Sequence, residues 1–282
     1  MFDKNKCSPL EDDNEYSCMD DDIIIDVGKI FNDKLNANID LDQCPRVIHK
    51  QICDKLNELK KGKSETRLLD MNNIINELPK DKLQRFKDSF RPEQPDEWEK
   101  NFNTWLSTND IDNVLKQYVK DDKELFYTGA VPMDFAECEF PNKLCNFNLK
   151  KILSQGKSKI AIVFNTDDHD ESGEHWVSMY VDCKGKNMKE PCIYYYDSAG
   201  DKAPEEVMEL VEKIKQQGLG LDNVIKFTFL YNDKVNQIGS TECGIYSLHF
   251  LIYMIENGNF MKYIKNKKSD EFIEKFRTIF FI

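Results

Sequence analysis

The stretch Gln237-Ile-Gly-Ser-Thr-Glu-Cys-Gly-Ile-Tyr-Ser-Leu-His-Phe-Leu251 places one cysteine between a polar, glycine-bearing loop and a long apolar run. From Gly244 to Ile255 the chain is apolar on nearly every side, the pattern of a helix buried at the centre of a domain. Cys243 falls in its first turn. There, unpaired backbone N–H groups and the positive end of the helix dipole favour a thiolate, the nucleophilic form of cysteine. Gly244 leaves space beside the sulfur for a close approach. A lone cysteine at such a junction reads more readily as a small buried hydrophobe, so its meaning depends on partners elsewhere in the chain.

A cysteine nucleophile needs a base, commonly histidine, and a third group to orient it. The chain has four histidines. His49 lies in an N-terminal helical segment, and His249 belongs to the apolar run itself. His169 sits in the acidic loop Asp167-Asp-His-Asp-Glu171, where no second His or Cys lies at metal-ligand spacing, so a solvated loop is expected and no metal. His175 opens the alternating strand His-Trp-Val-Ser-Met-Tyr-Val181, and the next strand, Ile193-Tyr-Tyr-Tyr196, runs into Asp197-Ser-Ala-Gly200. If these strands pair antiparallel, the histidine at the start of one meets the carboxylate at the end of the other. Gln237, six residues before Cys243, offers an amide that can donate to an oxyanion beside the backbone N–H of the cysteine.

The remaining pattern suggests an α+β fold. Ile160–Phe164 and Ile225–Tyr231 read as further strands, and Pro204 opens an amphipathic helix closed by Gly218. Thr104–Tyr118 reads as a helix, with Ser107, Thr108 and Asn109 available as caps. No regular βαβ repeat is present. Upstream, Ile48, Ile52, Leu56 and Leu59, then Leu68, Met71, Ile75 and Leu78, then Leu83, Phe86 and Phe90, mark short helices ending near the turn Arg91-Pro-Glu-Gln-Pro95. Residues 1–22 carry eight acidic and two basic side chains, so they are expected to form an acidic disordered tail. The domain reading is therefore a tail over 1–22, a helical N-terminal region over 23–97 and a catalytic domain over 98–282.

The net charge of −12 argues against nucleic acid or an anionic membrane as partner. The basic run Lys262-Tyr-Ile-Lys-Asn-Lys-Lys268 is an exception, read as a solvated helix end. Nine cysteines are too few for a disulfide scaffold, and their odd number points to a reducing compartment. The N-terminus has no secretory h-region, and the longest apolar stretch is too short to span a bilayer.

The order His175-Trp176, Asp197-Ser198, then Gln237 with five residues before Cys243-Gly-Ile-Tyr246, resembles the adenain and SUMO-protease superfamily of cysteine peptidases, clan CE. Within that superfamily it is similar to the polyprotein-processing proteases of large cytoplasmic DNA viruses. The resemblance covers about residues 98–282 and includes Trp105-Leu-Ser-Thr-Asn-Asp-Ile111 and Phe126-Tyr-Thr-Gly-Ala-Val-Pro-Met-Asp-Phe135. It implies a papain-like, adenain-like cysteine protease core, a central mixed sheet with a buried helix starting at the nucleophile. In it Cys243 would be the nucleophile, His175 the base, Asp197 its orienter and Gln237 the oxyanion donor. Trp176 and Trp105 would wall a narrow channel for a Gly-Gly segment.

The same resemblance implies no cofactor and a protein substrate with a Gly-Gly-like cleavage motif, such as a viral structural polyprotein. It also implies action at cytoplasmic assembly sites of an infected cell, with packaging into the virion. Where SUMO-cleaving members usually carry an acidic residue three positions after the entry tryptophan, this chain has Thr108, which weighs against docking of a ubiquitin-like protein. Three alternatives remain: a SUMO-like isopeptidase, a His-acid-Cys acyltransferase, and a catalytically inactive binding module. Acyltransferase relatives generally have Glu where this chain has Asp197.

Overall fold

The computed structural model describes residues 6–9, 15–62, 64–137 and 142–282. The chain divides into two compact units, residues 94–278 and residues 1–93 joined by 279–282. The division falls beside the proline-bearing segment Arg91–Pro95 and four residues before the expected boundary.

The larger unit is built on a five-stranded sheet in the order β1 to β5. These are β1 (Leu125–Val131), β2 (Lys159–Asn165), β3 (Trp176–Asp182), β4 (Cys192–Tyr196) and β5 (Thr228–Tyr231). The outer pairs β1/β2 and β4/β5 are parallel, while β2/β3 and β3/β4 are antiparallel. Parallel neighbours need a crossover, and the helices α6 (Leu149–Ser154) and α7 (Glu205–Leu219) lie on those two connections.

Alternation along the strands sends two sets of side chains to opposite faces. Ile160, Ile162, Phe164, Val177, Met179, Val181, Ile193 and Tyr195 cluster with Leu149, Ile152, Val207, Leu210, Val211 and Ile214 of the crossover helices. On the other face the helix α8 (Cys243–Ile255) packs against β3. Tyr196 stacks on Phe250 of α8 at 4.9 Å between ring centroids. Eleven of the thirteen residues of α8 are buried, because strands, α5 and later helices surround it. A mixed sheet with a buried helix that begins at Cys243 is the α+β architecture expected from the sequence.

Helix α5 spans Thr108–Asp121 and starts later than Thr104. Ser107 accepts the Asp110 N–H while the Asp110 carboxylate accepts the Ser107 N–H, a reciprocal cap that sets the helix start beyond Trp105. Beyond α8 lie α9 (Phe260–Lys265), α10 (Asp270–Glu274) and α11 (Arg277–Phe280).

The smaller unit contains α1 (Asp21–Leu35), α2 (Pro45–Glu58), α3 (Asn72–Ile75) and α4 (Lys80–Asp88). Ile23, Ile24, Val27 and Phe31 form one stripe of α1 and are buried with Ile48, Ile52, Leu56, Phe86 and Phe90. This corrects the reading of 1–22 as a disordered tail at the residues described. Cys7, Ser8, Ser17, Cys18 and Met19 are buried, and Cys7 is joined to Cys18 by a disulfide. Residues 1–5 and 10–14 lie outside the described residues. Counting charges missed the anchors because they are two cysteines, two serines and a methionine. The acidic residues are also engaged: Asp20 and Asp22 pair with Arg85, and Asp22 and Asp26 with Lys82. The same disulfide corrects the expectation of reduced cysteines throughout.

Glu65 is buried in this unit and accepts hydrogen bonds from Ser17 Oγ at 2.6 Å and the Cys18 N–H at 2.9 Å. It also bonds His49 Nε2 at 2.8 Å. Burial alone would lower the His49 pKa, but its bonds to Cys53 and Glu65 outweigh burial and raise it to about 9.

Candidate active site

Two antiparallel strands set the first part of the site. Ser178 of β3 is opposite Tyr196 of β4. One step further along this register, Asp197 comes opposite Val177, which leaves His175 as its diagonal neighbour just past the strand end. The side chains meet there: His175 Nε2 is 2.7 Å from Asp197 Oδ1. Asp197 is buried, and its Oδ1 also accepts the Ala199 N–H at 2.8 Å. Its backbone carbonyl accepts Asn232 Nδ2 at 2.7 Å. The carboxylate is thus held in place from both sides before it meets the imidazole.

The first turn of α8 supplies the sulfur. Cys243 is 1% exposed and lies close enough to His175 to act on its titration. Burial by itself would disfavour the imidazolium, yet the bond from Asp197, the neighbouring Cys243 sulfur and the charges on both prevail, raising His175 to about 10. A cationic imidazole oriented by a carboxylate can hand its proton to a leaving group.

Behind the sulfur, Glu242 is buried next to Cys243 and a second buried charge, Arg277, faces it. Arg277 Nη1 donates to Thr104 O at 2.9 Å and Nη2 to Thr241 O at 3.0 Å. Its guanidinium lies 4.9 Å from the Trp98 ring centroid. Arg277 therefore offsets the Glu242 charge and ties the segment before α5 to the segment before α8. Nothing in the local sequence marks it, because its partners lie 36 and 173 residues away.

Gln237 comes to the same turn as Asp197 by a different route. The Ser198 carbonyl accepts the N–H groups of Asn236 at 2.8 Å and Gln237 at 3.0 Å. Ser198 Oγ donates to Gln237 Oε1 at 2.7 Å, and Gln237 Nε2 donates to Gly239 O at 3.0 Å. Since a primary amide carries two N–H donors, one remains for another acceptor. The loop is fixed on its other side by Asp270, whose Oδ2 accepts the Ile238 and Gly239 N–H groups at 2.9 and 2.8 Å.

The two tryptophans behave differently. Trp176 is 5% exposed and its Nε1 donates to Leu106 O at 2.9 Å. Trp105, one residue before Leu106, is 42% exposed. The bond from Trp176 thus holds the segment that presents Trp105. A side chain on Gly244 would meet Leu106 at 3.2 Å, so this glycine makes room for Leu106 beside the cysteine. His169 is paired with Asp134. Among the described residues no group of three or more His, Cys, Asp or Glu side chains is placed to hold a metal ion, and no helix is long and apolar enough to cross a membrane.

A mixed sheet with a histidine–carboxylate pair at one end, and a cysteine at the start of a buried helix against it, defines a thiol-dependent acyl-transfer enzyme of the papain-like kind. Residues 81–279 match the family model described as YopJ Serine/Threonine acetyltransferase. A protein named as a candidate thiol protease from Acanthamoeba polyphaga mimivirus is 28% identical over 98% of this chain and 93% of its own length. A protein of African swine fever virus named SUMO-1 cysteine protease is 30% identical over 64% of this chain and 68% of its own. The crystal structure of the African swine fever virus protease shares the fold, with a TM-score of 0.67 and 23% identity over 98% of this chain and 95% of that one. The chain belongs to the family that the YopJ model describes, and with the African swine fever virus cysteine protease. It is a cysteine peptidase, and its substrates are proteins.

Proposed function

We propose that this peptidase cleaves after Gly-containing segments of viral structural precursors, with Cys243 as nucleophile, His175 as general base and acid, and Asp197 as the orienter of His175. The sulfur attacks the scissile carbonyl, and the oxyanion is held by the free N–H of the Gln237 amide and by backbone N–H groups at the start of α8. Protonated His175 then gives its proton to the leaving amine. The resulting thioester is hydrolysed by water activated by the same imidazole. The observation that carries this assignment is the 2.7 Å bond between His175 and Asp197, with buried Cys243 opening α8 close enough to act on the same imidazole.

Selectivity for glycine follows from the surroundings of the sulfur. Cys243 is buried, Leu106 fills the space beside Gly244, and Trp176 holds the segment carrying exposed Trp105. A slot walled by these groups admits backbone without side chains more readily than a bulky residue. Processing of precursors places the enzyme at viral assembly sites and in the virion.

The match to the acetyltransferase model favours one second reading, transfer of an acetyl group from the same thioester to a hydroxyl. The two are separated by what acylates Cys243. In intact-mass analysis, a peptide ending in a Gly-Gly electrophile should label Cys243, with no adduct in Cys243→Ala and a slower one in His175→Ala. Acetyl-coenzyme A should leave the mass unchanged. An acetyl adduct on Cys243 without peptide labelling would overturn the peptidase assignment of the site. A linear Gly-Gly precursor offered beside a SUMO-like conjugate tests precursor against isopeptidase cleavage, and preference for the conjugate would overturn the precursor reading. Gln237→Ala should lower turnover by around 10²-fold.

A further inference from the structure

Beyond the thiol site, residues of α8, α9 and α10 border an open cavity of about 720 Å³ lined by His249, Tyr253, Lys262, Tyr263, Lys268 and Phe272, with none of the four proposed catalytic residues in its wall. That volume is within the range of about 300–1,000 Å³ usual for small-molecule sites. Its floor is aromatic. Tyr263 is buried and its hydroxyl lies 2.7 Å from His249 Nδ1, while Phe272 stands edge-on to the His249 ring and is 43% exposed. Burial and nearby Lys268 bring the His249 pKa down to about 4, so the imidazole is neutral and accepts a hydrogen bond from the Tyr263 hydroxyl.

The rim is cationic. Lys262, Lys267 and Lys268 all line the cavity, and among the described residues none of the three has a carboxylate within ion-pair distance. Lys268 Nζ lies 3.5 Å from the Tyr263 ring centroid and donates to the carbonyls of Tyr263 and Asn266 at 2.6 and 2.8 Å. Burial without a counter-charge lowers its pKa to about 8. In a chain of net charge −12, three uncompensated ammonium groups around one cavity are an arrangement that a multiply charged anion stabilises. Flat aromatic walls add a requirement for a planar ring.

We propose that this cavity binds a nucleoside polyphosphate, with its base against Phe272 and Tyr253 and its phosphates at the lysine rim, and that occupancy steadies the loop carrying Gln237. The second half rests on the peptidase reading of the thiol site. It follows from a continuous set of bonds. The Lys268 N–H donates to Asn236 Oδ1 at 3.2 Å, and the Tyr246 hydroxyl bonds both Lys268 O and Asp270 Oδ1 at 2.9 Å. Asp270 in turn holds the Ile238 and Gly239 N–H groups. A ligand that fixes Lys268 thus fixes both flanks of Gln237.

Calorimetric titration of the full chain with ATP, inorganic triphosphate and adenosine tests the site without reference to catalysis. ATP should bind, triphosphate more weakly, and adenosine not measurably, with affinity falling as salt rises. Lys262→Ala and Lys267→Ala, both at exposed positions, should each weaken ATP binding about fivefold. Phe272→Ala should weaken ATP while sparing triphosphate. Absence of ATP binding, or indifference to the lysine substitutions, would overturn the site, and equal binding of ATP and triphosphate would overturn the ring contact. ATP should also speed labelling of Cys243 by the Gly-Gly electrophile in the wild type but not in Lys267→Ala. Binding with unchanged labelling would overturn the coupling alone. ATP binding with no labelling of Cys243 either with or without ATP would instead count against the peptidase reading, and labelling that ATP slows would overturn the coupling.

Discussion

Asp197 shows how a single residue can organise a site. One carboxylate oxygen serves both His175 and the Ala199 N–H, while the backbone carbonyl serves Asn232. Asp197→Asn preserves the shape and removes the charge that supports the imidazolium. With His175 at about 10, steps that need its proton persist at neutral pH and are lost as pH rises through that value. In Asp197→Asn the His175 pKa falls, so the alkaline limb of kcat/KM should move to lower pH, and turnover should drop roughly 10²-fold. An unmoved limb would show that Asp197 does not act through His175. The four proposed catalytic residues could be picked out from their order along the chain, because His175, Asp197 and Cys243 each lie at the end of a recognisable strand or helix and Gln237 stands at a fixed spacing before Cys243. Ser198, Asn232, Asp270 and Arg277 could not. Their work is to bond backbone atoms of distant segments, which leaves no local pattern.

Elements carry the next level of information, in the turn that follows β4. Gly200 has φ of +79°, and a side chain there would lie 2.7 Å from the Lys234 carbonyl carbon. The Asp197–Gly200 turn therefore rests against the segment leading to Gln237, and only glycine meets both the dihedral and the clearance. Gly200→Ala should cost about 1–3 kcal/mol and push residues 234–237 away from Ser198, lowering kcat more than a stability loss alone would. Thermal melts beside turnover at a temperature where both proteins stay folded check this, and wild-type kcat in the variant would contradict it. The strands and α8 were legible because alternation and an all-round apolar run are strong signals. The start of α5 was less so, since Ser107, Thr108 and Asn109 are all good caps and only the reciprocal bond with Asp110 selects Ser107.

For the whole molecule, charge counting and burial lead to different pictures of the N-terminal region. Ser17, Cys18 and His49 converge on the buried carboxylate of Glu65, which joins the acidic N-terminal segment to α2. Because the folded pKa of His49 is raised to about 9 above its ordinary value of about 6.5, the ion pair contributes fully below pH 6.5 and is lost as pH rises through 9. Glu65→Gln should lower stability by roughly 3 kcal/mol at acidic to neutral pH, with the ionic part of that difference fading on the alkaline side. Denaturant unfolding of the full chain at several pH values measures it, and a difference independent of pH would mean that His49 is neutral in the fold.

By itself, the amino-acid sequence determined the α+β class and the buried helix starting at Cys243, and it offered the proposed set His175, Asp197, Gln237 and Cys243, since hydrophobic periodicity and residue order are local properties. Tertiary structure decided how these residues are held. The β3/β4 register brings His175 to Asp197, Ser198 receives the Gln237 loop, and Arg277 supplies the buried counter-charge behind the sulfur. It also decided that the acidic N-terminal segment packs, through Cys7–Cys18 and Glu65. The physical reason is the same in each case: a buried polar group needs partners, and the chain supplies them from segments whose proximity exists only after folding.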